Sequence, residues 1–243
     1  DVMWGGPLRV MISHDKDAAS PLVCFCDVVA RDPFFIVGRM PNERFRFADL
    51  RMLKFASVSE VPTPWLCLQH DLREAGIDPS TLDRIPDRSM AENLEALRRG
   101  EIDIAQMFEP YASQAEREGA GKIIHAARRR GDTAYTTFLT LRPFVAKNRE
   151  AYAAMVRAAK AMQGWLATHS GAELAEVVAP YYPAVDRRDL ETALTRYKSV
   201  GLWASDTNVS RAGFDRLAAS LKSGGFISRI PAYEDCVVDA AIG

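Results

Sequence analysis

The sequence predicts an α/β fold in which mostly parallel strands are flanked by helices. Apolar segments of strand length alternate with helical segments between residues 53 and 127. One of these helical segments begins with a capping-box pattern at Ser89 and Glu92, and it ends at Gly100. An alternation of this kind is typical of β-α-β units, whose strands form a parallel sheet with helices on both faces.

The first 51 residues contain short elements. We expect the end of a strand, a Gly-Gly-Pro turn, a short helix and two apolar strands, at residues 1–4, 5–7, 8–14, 22–29 and 33–38. The polar segment that follows, 39–51, links them to the alternating part of the chain.

Residues 53–127 predict four strands with three helices between them. The strands are expected at 53–58, 81–85, 102–108 and 122–127, and the helices at 64–75, 90–99 and 110–118.

After Gly131 the pattern changes from alternation to helices. One further strand is expected at 135–141, followed by helices at 146–168, 171–179, 187–198 and 210–224. We therefore predict two domains: residues 52–133 form an α/β domain inserted into a first lobe made of 1–51 and 134–243. Two crossovers, 38–52 and 130–142, would form a double hinge, and small molecules usually bind in the cleft of such a body.

Composition excludes several classes of function. The chain has 243 residues, of which 48% are hydrophobic and 26% charged, with a formal net charge of -1. Nucleic-acid binding normally needs a concentrated basic face, so no nucleic-acid partner is expected. No membrane span is expected either, since no run approaches the ~18 apolar residues that would cross a bilayer.

The four cysteines, at 24, 26, 67 and 236, form no metal-binding spacing. No metal and no cofactor are therefore expected. Cys24 or Cys26 could act as a nucleophile only with a lowered pKa, and a buried inert thiol is the alternative. Paired carboxylates, a Ser-His-Asp pattern and a phosphate loop are all missing from the sequence, so no catalytic residue is assigned.

The turn after the strand at 53–58 has the residue types of an anion site. Ser57 and Ser59 follow the apolar strand, and Thr63 is placed as the N-cap of a helix with Pro64 at its first position. Free N–H groups and the helix dipole would favour a carboxylate, sulfonate, phosphate or polarised oxygen. The same residues also cap helices that bind nothing, and Trp65 could line a site or pack in the core.

Glu109 follows the apolar strand 102–108, at the end where α/β sheets bind ligands. A carboxylate there suits a ligand with hydrogen-bond donors, such as an aminopyrimidine. It suits a sulfonate or nitrate only if Arg9 offsets its charge. The alternative is that Glu109 caps the helix that starts at Pro110.

Several runs in their order carry a resemblance to a known family. They are DVMWGGPLRVM, PLVCFCDVVARDPFFIVGR, LKFASVSEVPTPWLCLQHDLREAGIDPSTL, MAENLEALRRGEIDIAQMFEPYASQAEREG and YTTFLTLRPFV. Together they cover nearly the whole chain. The chain resembles ABC-transporter substrate-binding proteins, in particular the group with alkanesulfonate, nitrate and taurine binders and the thiamine-pyrimidine synthase-like proteins.

The resemblance implies a two-lobed periplasmic-binding-protein-like fold of type II that closes on a small polar or heteroaromatic ligand in the interlobe cleft. It implies an ABC permease as partner and a periplasmic or membrane-associated extracytoplasmic location, with a cytoplasmic location left open. The contacts that it implies are Gly5, Gly6, Arg9, Ser57, Ser59, Thr63, Trp65, Glu109, Tyr111, Tyr135 and Thr136. Gly5 and Gly6 would let backbone N–H groups approach the ligand.

Two departures from the family pattern bear on function. The chain is expected to start roughly 60 to 80 residues late, so the first lobe would be incomplete and any signal peptide would lie outside this chain. The alternative function is an enzyme on the same fold, synthase-like, decarboxylase-like or desulfinase-like. The synthase-like proteins carry a CCCFC motif late in the chain, whereas CFC lies early here, at 24–26, so that site is not carried over.

The Ala-rich helix at 146–168 has apolar residues near helical spacing. Met155, Ala159, Met162 and Trp165 predict a stripe that faces the core. The alternative is that this stripe packs a homodimer, above all if an incomplete lobe leaves apolar surface uncovered.

Overall fold

The computed structural model describes residues 2–240, which divide into two compact units. Among the described residues the first unit comprises 2–32, 131–170 and 200–240, and the second comprises 33–130 and 171–199. Each unit has its own sheet and its own helices.

The described part of the chain forms strands β1 (Met3–Gly5), β2 (Leu22–Val29), β3 (Phe35–Gly38), β4 (Phe55–Ala56), β5 (Arg84–Ile85), β6 (Ile104–Met107), β7 (Lys122–Ala126) and β8 (Thr136–Leu141). Its helices are α1 (Leu8–Lys16), α2 (Thr63–Glu74), α3 (Met90–Arg98), α4 (Tyr111–Arg117), α5 (Arg142–Lys147), α6 (Arg149–Thr168), α7 (Gly171–Val178), α8 (Arg187–Ser199), α9 (Arg211–Ser223) and α10 (Tyr233–Cys236). Short 3-10 turns occur at 47–52, 79–81, 127–130 and 179–181.

The sheet of the first unit is antiparallel, with strand order β1-β8-β2. Tyr152 and Val156 of α6 pack with Phe25 and Cys26 of β2 in one buried cluster, and Phe138 of β8 packs against it. Helix α1 contacts β2, α9 and α10. The buried residues of α6 are Tyr152, Ala153 and Val156, so the helix packs on the unit mainly through one short apolar patch.

The sheet of the second unit is mixed, with strand order β5-β4-β6-β3-β7. Strand β4 runs parallel to β5 and β6, whereas β3 runs antiparallel to β6 and β7. Phe55, Leu68, Leu72 and Ile104 form the centre of a buried cluster that joins α2 to this sheet. Because β4 and β6 are parallel neighbours, the segments that follow them, 57–62 and 108–110, leave the same edge of the sheet.

The predicted α/β class is confirmed, but the prediction of mostly parallel sheets is wrong in detail. Four of the six strand pairings among residues 2–240 are antiparallel. Two of these four arise because β3 lies between β6 and β7, although it precedes both by some seventy to ninety residues in the sequence, and the other two join β8 to β1 and β2. Sequence alternation alone does not reveal such an inserted strand.

The boundaries of the two units also differ from the predicted division at 51/52 and 133/134. Strand β3 pairs with β6 and β7, which places residues 33–51 in the second unit. Helices α7 and α8 also belong to the second unit. Gly171 of α7 lies against Thr195 of α8, and a Cβ atom on this glycine would lie 2.5 Å from Thr195 Cα.

Local predictions fared better than long-range ones. The capping box at Ser89 and Glu92 is confirmed, with the Ser89 N–H donating to Glu92 at 2.7 Å. The predicted helix at 146–168 is instead split into α5 and α6 at Asn148. Met155 and Ala159 are partly buried as predicted, but Met162 is exposed, and α10 was not foreseen.

Candidate functional site

The turn after β4 is fixed by backbone hydrogen bonds on both sides. Ser57 is buried, its N–H donates to the Ile85 carbonyl at 3.0 Å, and its own carbonyl accepts from Asn93 Nδ2 at 3.0 Å. Ser59 is exposed, and its N–H donates to the Arg88 carbonyl at 3.1 Å. The turn therefore holds one hydroxyl inside the unit and presents the other to solvent.

Helix α2 begins one residue earlier than predicted. Thr63 is the first helical residue and Pro64 the second, while Pro62 occupies the cap position and no side chain caps the helix. The prediction of Thr63 as the N-cap is therefore wrong, since its backbone already has helical geometry and its side chain is buried. Pro62 and Pro64 have no N–H, so the uncapped start leaves the N–H groups of Thr63 and Trp65 and the positive end of the helix dipole to face an anion.

Arg84 is a functional candidate that the sequence analysis missed. Its Nη1 donates to Ser57 Oγ at 2.8 Å, and its guanidinium carbon lies 4.3 Å from the centre of the Trp65 ring. No carboxylate in the described residues forms a salt bridge with it. Burial lowers the pKa of Arg84, but an arginine remains charged near neutral pH.

The position of Arg84 follows from strand register. Arg84 lies beside Phe55 in the parallel pair of β5 and β4, one register step before the end of β4. The only signal for Arg84 in the sequence was a basic residue next to Ile85 in a short apolar segment. The pairing of β5 with β4 cannot be recognised from the local sequence.

Trp65 combines the two roles that the sequence left open. Its ring centre lies 5.9 Å from that of Phe55 at the edge of the buried cluster, and the Arg84 guanidinium lies over the Trp65 ring. The ring is therefore both a core contact and a platform that orients the guanidinium.

Glu109 occupies the predicted strand end, but its carboxylate is already engaged. It is 5% exposed, pairs with the guanidinium of Arg196 and accepts the Ser113 N–H at 2.9 Å. Its own N–H donates to Tyr197 Oη at 2.9 Å. Glu109 therefore accepts a first-turn N–H of α4, as the capping alternative expects, although Pro110 occupies the N-cap position. Tyr111 is the first residue of α4 and is half-buried.

The candidates of the first unit lie close together around one turn. Gly5 ends β1 and pairs with Thr137, and Arg9 follows on α1. A Cβ atom on Gly5 would lie 3.7 Å from Arg9 Nη1, and one on Gly6 would lie 3.4 Å from the Tyr135 carbonyl. The two glycines therefore allow the guanidinium and the β8 segment to approach the turn. Thr136 pairs with Val29 in the sheet.

The structure thus gathers the predicted residues into two groups, one in each unit. Ser57, Thr63 and Trp65 lie with Arg84 at the start of α2, and Glu109 and Tyr111 lie at the end of the neighbouring strand. Gly5, Gly6, Arg9, Tyr135 and Thr136 form the group of the first unit.

The cysteines that were weighed as nucleophiles are buried. Burial raises the pKa of Cys24 to about 12 and that of Cys26 to about 11. Both thiols are therefore protonated at neutral pH, and a thiol is a far weaker nucleophile than a thiolate. Among residues 2–240 no three His, Cys, Asp or Glu side chains come together as a metal site. In the same range no helix combines the length and the apolar character that a membrane span needs.

Comparison with known proteins agrees with this architecture. The model of the NMT1-like family matches residues 42–179. The Bacillus subtilis (strain 168) protein YtlA, named as a binding protein, is 26% identical over 234 residues, which cover 95% of this chain and 70% of YtlA.

Two solved structures share the fold. The alkanesulfonate-binding protein SsuA of Xanthomonas axonopodis pv. citri, bound to MOPS, has a TM-score of 0.71 at 15% identity, covering 98% of this chain and 80% of its own. The desulfurization enzyme DSZB has a TM-score of 0.62 at 14% identity, and the match covers 98% of this chain and 82% of DSZB.

The fold is that of the SsuA-type periplasmic binding proteins, as the resemblance implied. The chain belongs to the NMT1-like family, whose model spans more than half of its residues.

Proposed function

We propose that this chain is the solute-binding component of an ABC importer, that it works outside the cytoplasm, and that its ligand is a small organic anion such as a sulfonate. Membership of the NMT1-like family and the likeness to YtlA and SsuA support the importer role. An ABC permease would be the partner that receives the ligand.

The observation that carries the choice of an anion is the surrounding of Arg84. Its guanidinium has no carboxylate partner in the described residues, yet it is held in place by Ser57 Oγ and by the face of Trp65. The uncapped start of α2 lies in the same turn region. A fixed cation beside free N–H groups favours an oxyanion, because each oxygen can accept a charge-assisted hydrogen bond.

The state of Glu109 argues against an aminopyrimidine. A ligand of that kind would need a carboxylate with free acceptor capacity, whereas Glu109 is paired with Arg196 and accepts from the Ser113 backbone. The same ion pair removes the negative charge that would have repelled a sulfonate. Arg196, rather than Arg9, therefore offsets Glu109.

The turn of the first unit is proposed as an anion contact of that unit. Arg9 is exposed and its guanidinium lies near Gly5 and Gly6, so a positive group and backbone without side chains share one surface. This combination also suits an oxyanion.

The alternative of an enzyme on the same fold is weaker. The fold is shared with a desulfurization enzyme, so sulfur chemistry is the enzymatic activity to test. The thiols of Cys24 and Cys26 are nevertheless held protonated by burial, which favours binding over nucleophilic chemistry at these positions. The homodimer predicted from the stripe on α6 stays a prediction.

Calorimetric titration with ethanesulfonate, taurine, nitrate and 4-aminopyrimidine tests the proposal. We expect at least one sulfonate to bind and 4-aminopyrimidine not to bind. Arg84→Gln should weaken sulfonate binding about tenfold or more, because a charge-assisted hydrogen bond is lost. Arg51→Gln, an exposed arginine of the same unit, is the matched control. Equal affinity in Arg84→Gln and the wild type would refute the anion site. Mass spectrometry of the recovered ligand should find it unchanged, and a converted product would indicate an enzyme instead.

A further inference from the structure

The first unit contains a cavity of about 390 Å³ that none of the candidate contacts above lines. It lies beside helix α6 and the strands β1, β2 and β8. Its principal lining residues are Trp4, Asp27, Phe138, Met155, Met162 and Trp203. A volume of this size is at the lower end of the range for small-molecule sites.

Most of the lining is aromatic or apolar. The rings of Trp4 and Phe138 meet edge to face with centres 5.2 Å apart, and Trp4 is 58% exposed. Met155 and Met162 come from α6. Methionine and aromatic side chains adapt to the shape of an apolar ligand, and ring faces attract cations.

One end of the cavity carries a buried carboxylate. Asp27 is 2% exposed, and within residues 2–240 the donor to its carboxylate is the N–H of Val28 at 3.1 Å, with no cationic side chain paired to it. The charged groups that act on it, Asp132 and Asp206, are both acidic. Burial raises the pKa of Asp27 to about 7. An unpaired buried carboxylate destabilises the fold unless it acquires a proton or a cation.

Gln163 supplies a second acceptor in the same lining. Its Nε2 donates to the carbonyl oxygens of Asp27 at 3.3 Å and Asp206 at 3.0 Å, which fixes the orientation of the amide. Its Oε1 is buried and receives no hydrogen bond from the described residues. A carboxylate whose donor in the described residues is a single backbone N–H and an amide oxygen that receives none therefore belong to the lining of one apolar cavity.

We propose that this cavity is a binding site for a primary organic ammonium ion with an apolar or aromatic body. The ammonium group would donate to the Asp27 carboxylate and the Gln163 amide oxygen, while the body contacts Trp4, Phe138 and the two methionines. A primary ammonium has three donors, which suit a carboxylate without a cationic partner and an unsatisfied amide oxygen better than a quaternary ammonium does. The site goes beyond the proposed function, since none of the proposed anion contacts lines it and it selects the opposite charge.

The test is calorimetric titration of the full chain at pH 8 with 2-phenylethylammonium. Two further probes separate charge from shape: 2-phenylethanol is neutral, and trimethyl-2-phenylethylammonium is charged but has no N–H donor. Asp27→Asn removes the charge with little change in volume. Ala158→Phe fills the cavity from an exposed lining position and leaves Asp27 in place. Glu150→Gln, an exposed carboxylate on the same helix, is the matched control.

We expect 2-phenylethylammonium to bind at least about tenfold more tightly than either of the other probes. Asp27→Asn should remove this preference, Ala158→Phe should abolish binding, and Glu150→Gln should leave both unchanged. Equal affinity for the ammonium and the alcohol would overturn the proposal, and so would binding that survives Ala158→Phe. Absence of binding to the folded wild type would also overturn it. Self-association that Ala158→Phe abolishes, without ammonium binding, would show a protein contact at this surface instead.

Discussion

The carboxylate of Glu109 pairs with the guanidinium of Arg196 inside the second unit, and this ion pair occupies the acidic side chain at the end of β6. The side chain of Glu109 is 2% exposed and that of Arg196 is 20% exposed. Arg196 also binds Glu116 at 2.5 Å and Ser113 Oγ at 3.1 Å, so one guanidinium ties α8 to α4. The pair therefore holds the unit together and leaves little acceptor capacity for a ligand.

Arg196→Met should destabilise the second unit strongly, because Glu109 would remain buried without its partner. We expect a loss of about 3–5 kcal/mol in the free energy of unfolding, measured with urea. Arg99→Gln, which breaks an exposed pair with Glu95, is the control and should change stability by less than about 1 kcal/mol. Similar losses in the two variants would contradict this role for the buried pair.

Replacement of two glycines by alanine, in helices that follow each other in the sequence, should change stability in opposite directions. A Cβ atom on Gly171 would lie within 2.6 Å of the backbone of Thr195, so Gly171→Ala must separate α7 from α8. We expect a loss of about 2 kcal/mol or more in unfolding free energy. On Gly164, inside α6, a Cβ atom would meet nothing within 4 Å. Gly164→Ala should therefore stabilise by about 0.5–1 kcal/mol. Thermal melts of both variants check the pair, and a stabilised Gly171→Ala would refute the packing of α7 on α8.

Asp27 should make stability fall as pH rises. Its pKa is about 7 in the folded chain and 3.8 in its ordinary state, with burial as the main cause and Val28, Asp132 and Asp206 as the neighbouring groups. The side chains of Cys24, Cys26 and Tyr233 also interact with it. Between these two pKa values the folded chain binds more protons than the unfolded chain, so the stabilisation is lost as pH approaches 7.

The effect of Asp27 is measured by urea unfolding of the wild type and Asp27→Asn from pH 4 to pH 8. The wild type should lose up to about 4 kcal/mol relative to Asp27→Asn across this range. A difference between the two proteins that does not change with pH would contradict the assignment.

His125 should produce the opposite dependence in the second unit. Burial, with Arg129 and Arg130 nearby, lowers its pKa to about 4 from 6.5, and Asp71 acts in the other direction. The unfolded chain then binds more protons between pH 4 and 6.5, so this stabilisation is lost as pH falls through that window. His125→Phe should remove the dependence, because Phe45 and Phe47 already pack against this ring. Unfolding curves that keep the same acid slope in His125→Phe would refute it.

Much of the local structure could be predicted from the sequence. The strand at 22–29 has the predicted bounds, and the capping box at Ser89 forms as expected. These features depend on residues that are near one another in the chain, namely a run of apolar side chains and a cap with its partner three residues on. The resemblance to binding proteins correctly implied the fold.

The remaining features depend on contacts between distant segments. The insertion of β3 between β6 and β7, the position of Arg84 beside β4 and the pairing of Glu109 with Arg196 each join residues about 30 to 90 positions apart. The burial of Asp27 also depends on distant segments, since Asp132, Gln163 and Asp206 around it lie more than a hundred positions further along the chain. The sequence suggested Arg9 as the group that offsets the charge of Glu109, whereas the structure pairs Glu109 with Arg196. The ligand site itself stays a prediction.

The anion site is tested by a crystal structure of the protein grown with the sulfonate that binds most tightly. We expect the sulfonate group at the start of α2, with an oxygen within hydrogen-bond distance of the Arg84 guanidinium and of a first-turn N–H of the helix. A ligand bound elsewhere, with Arg84 still contacting only Ser57 and Trp65, would contradict it.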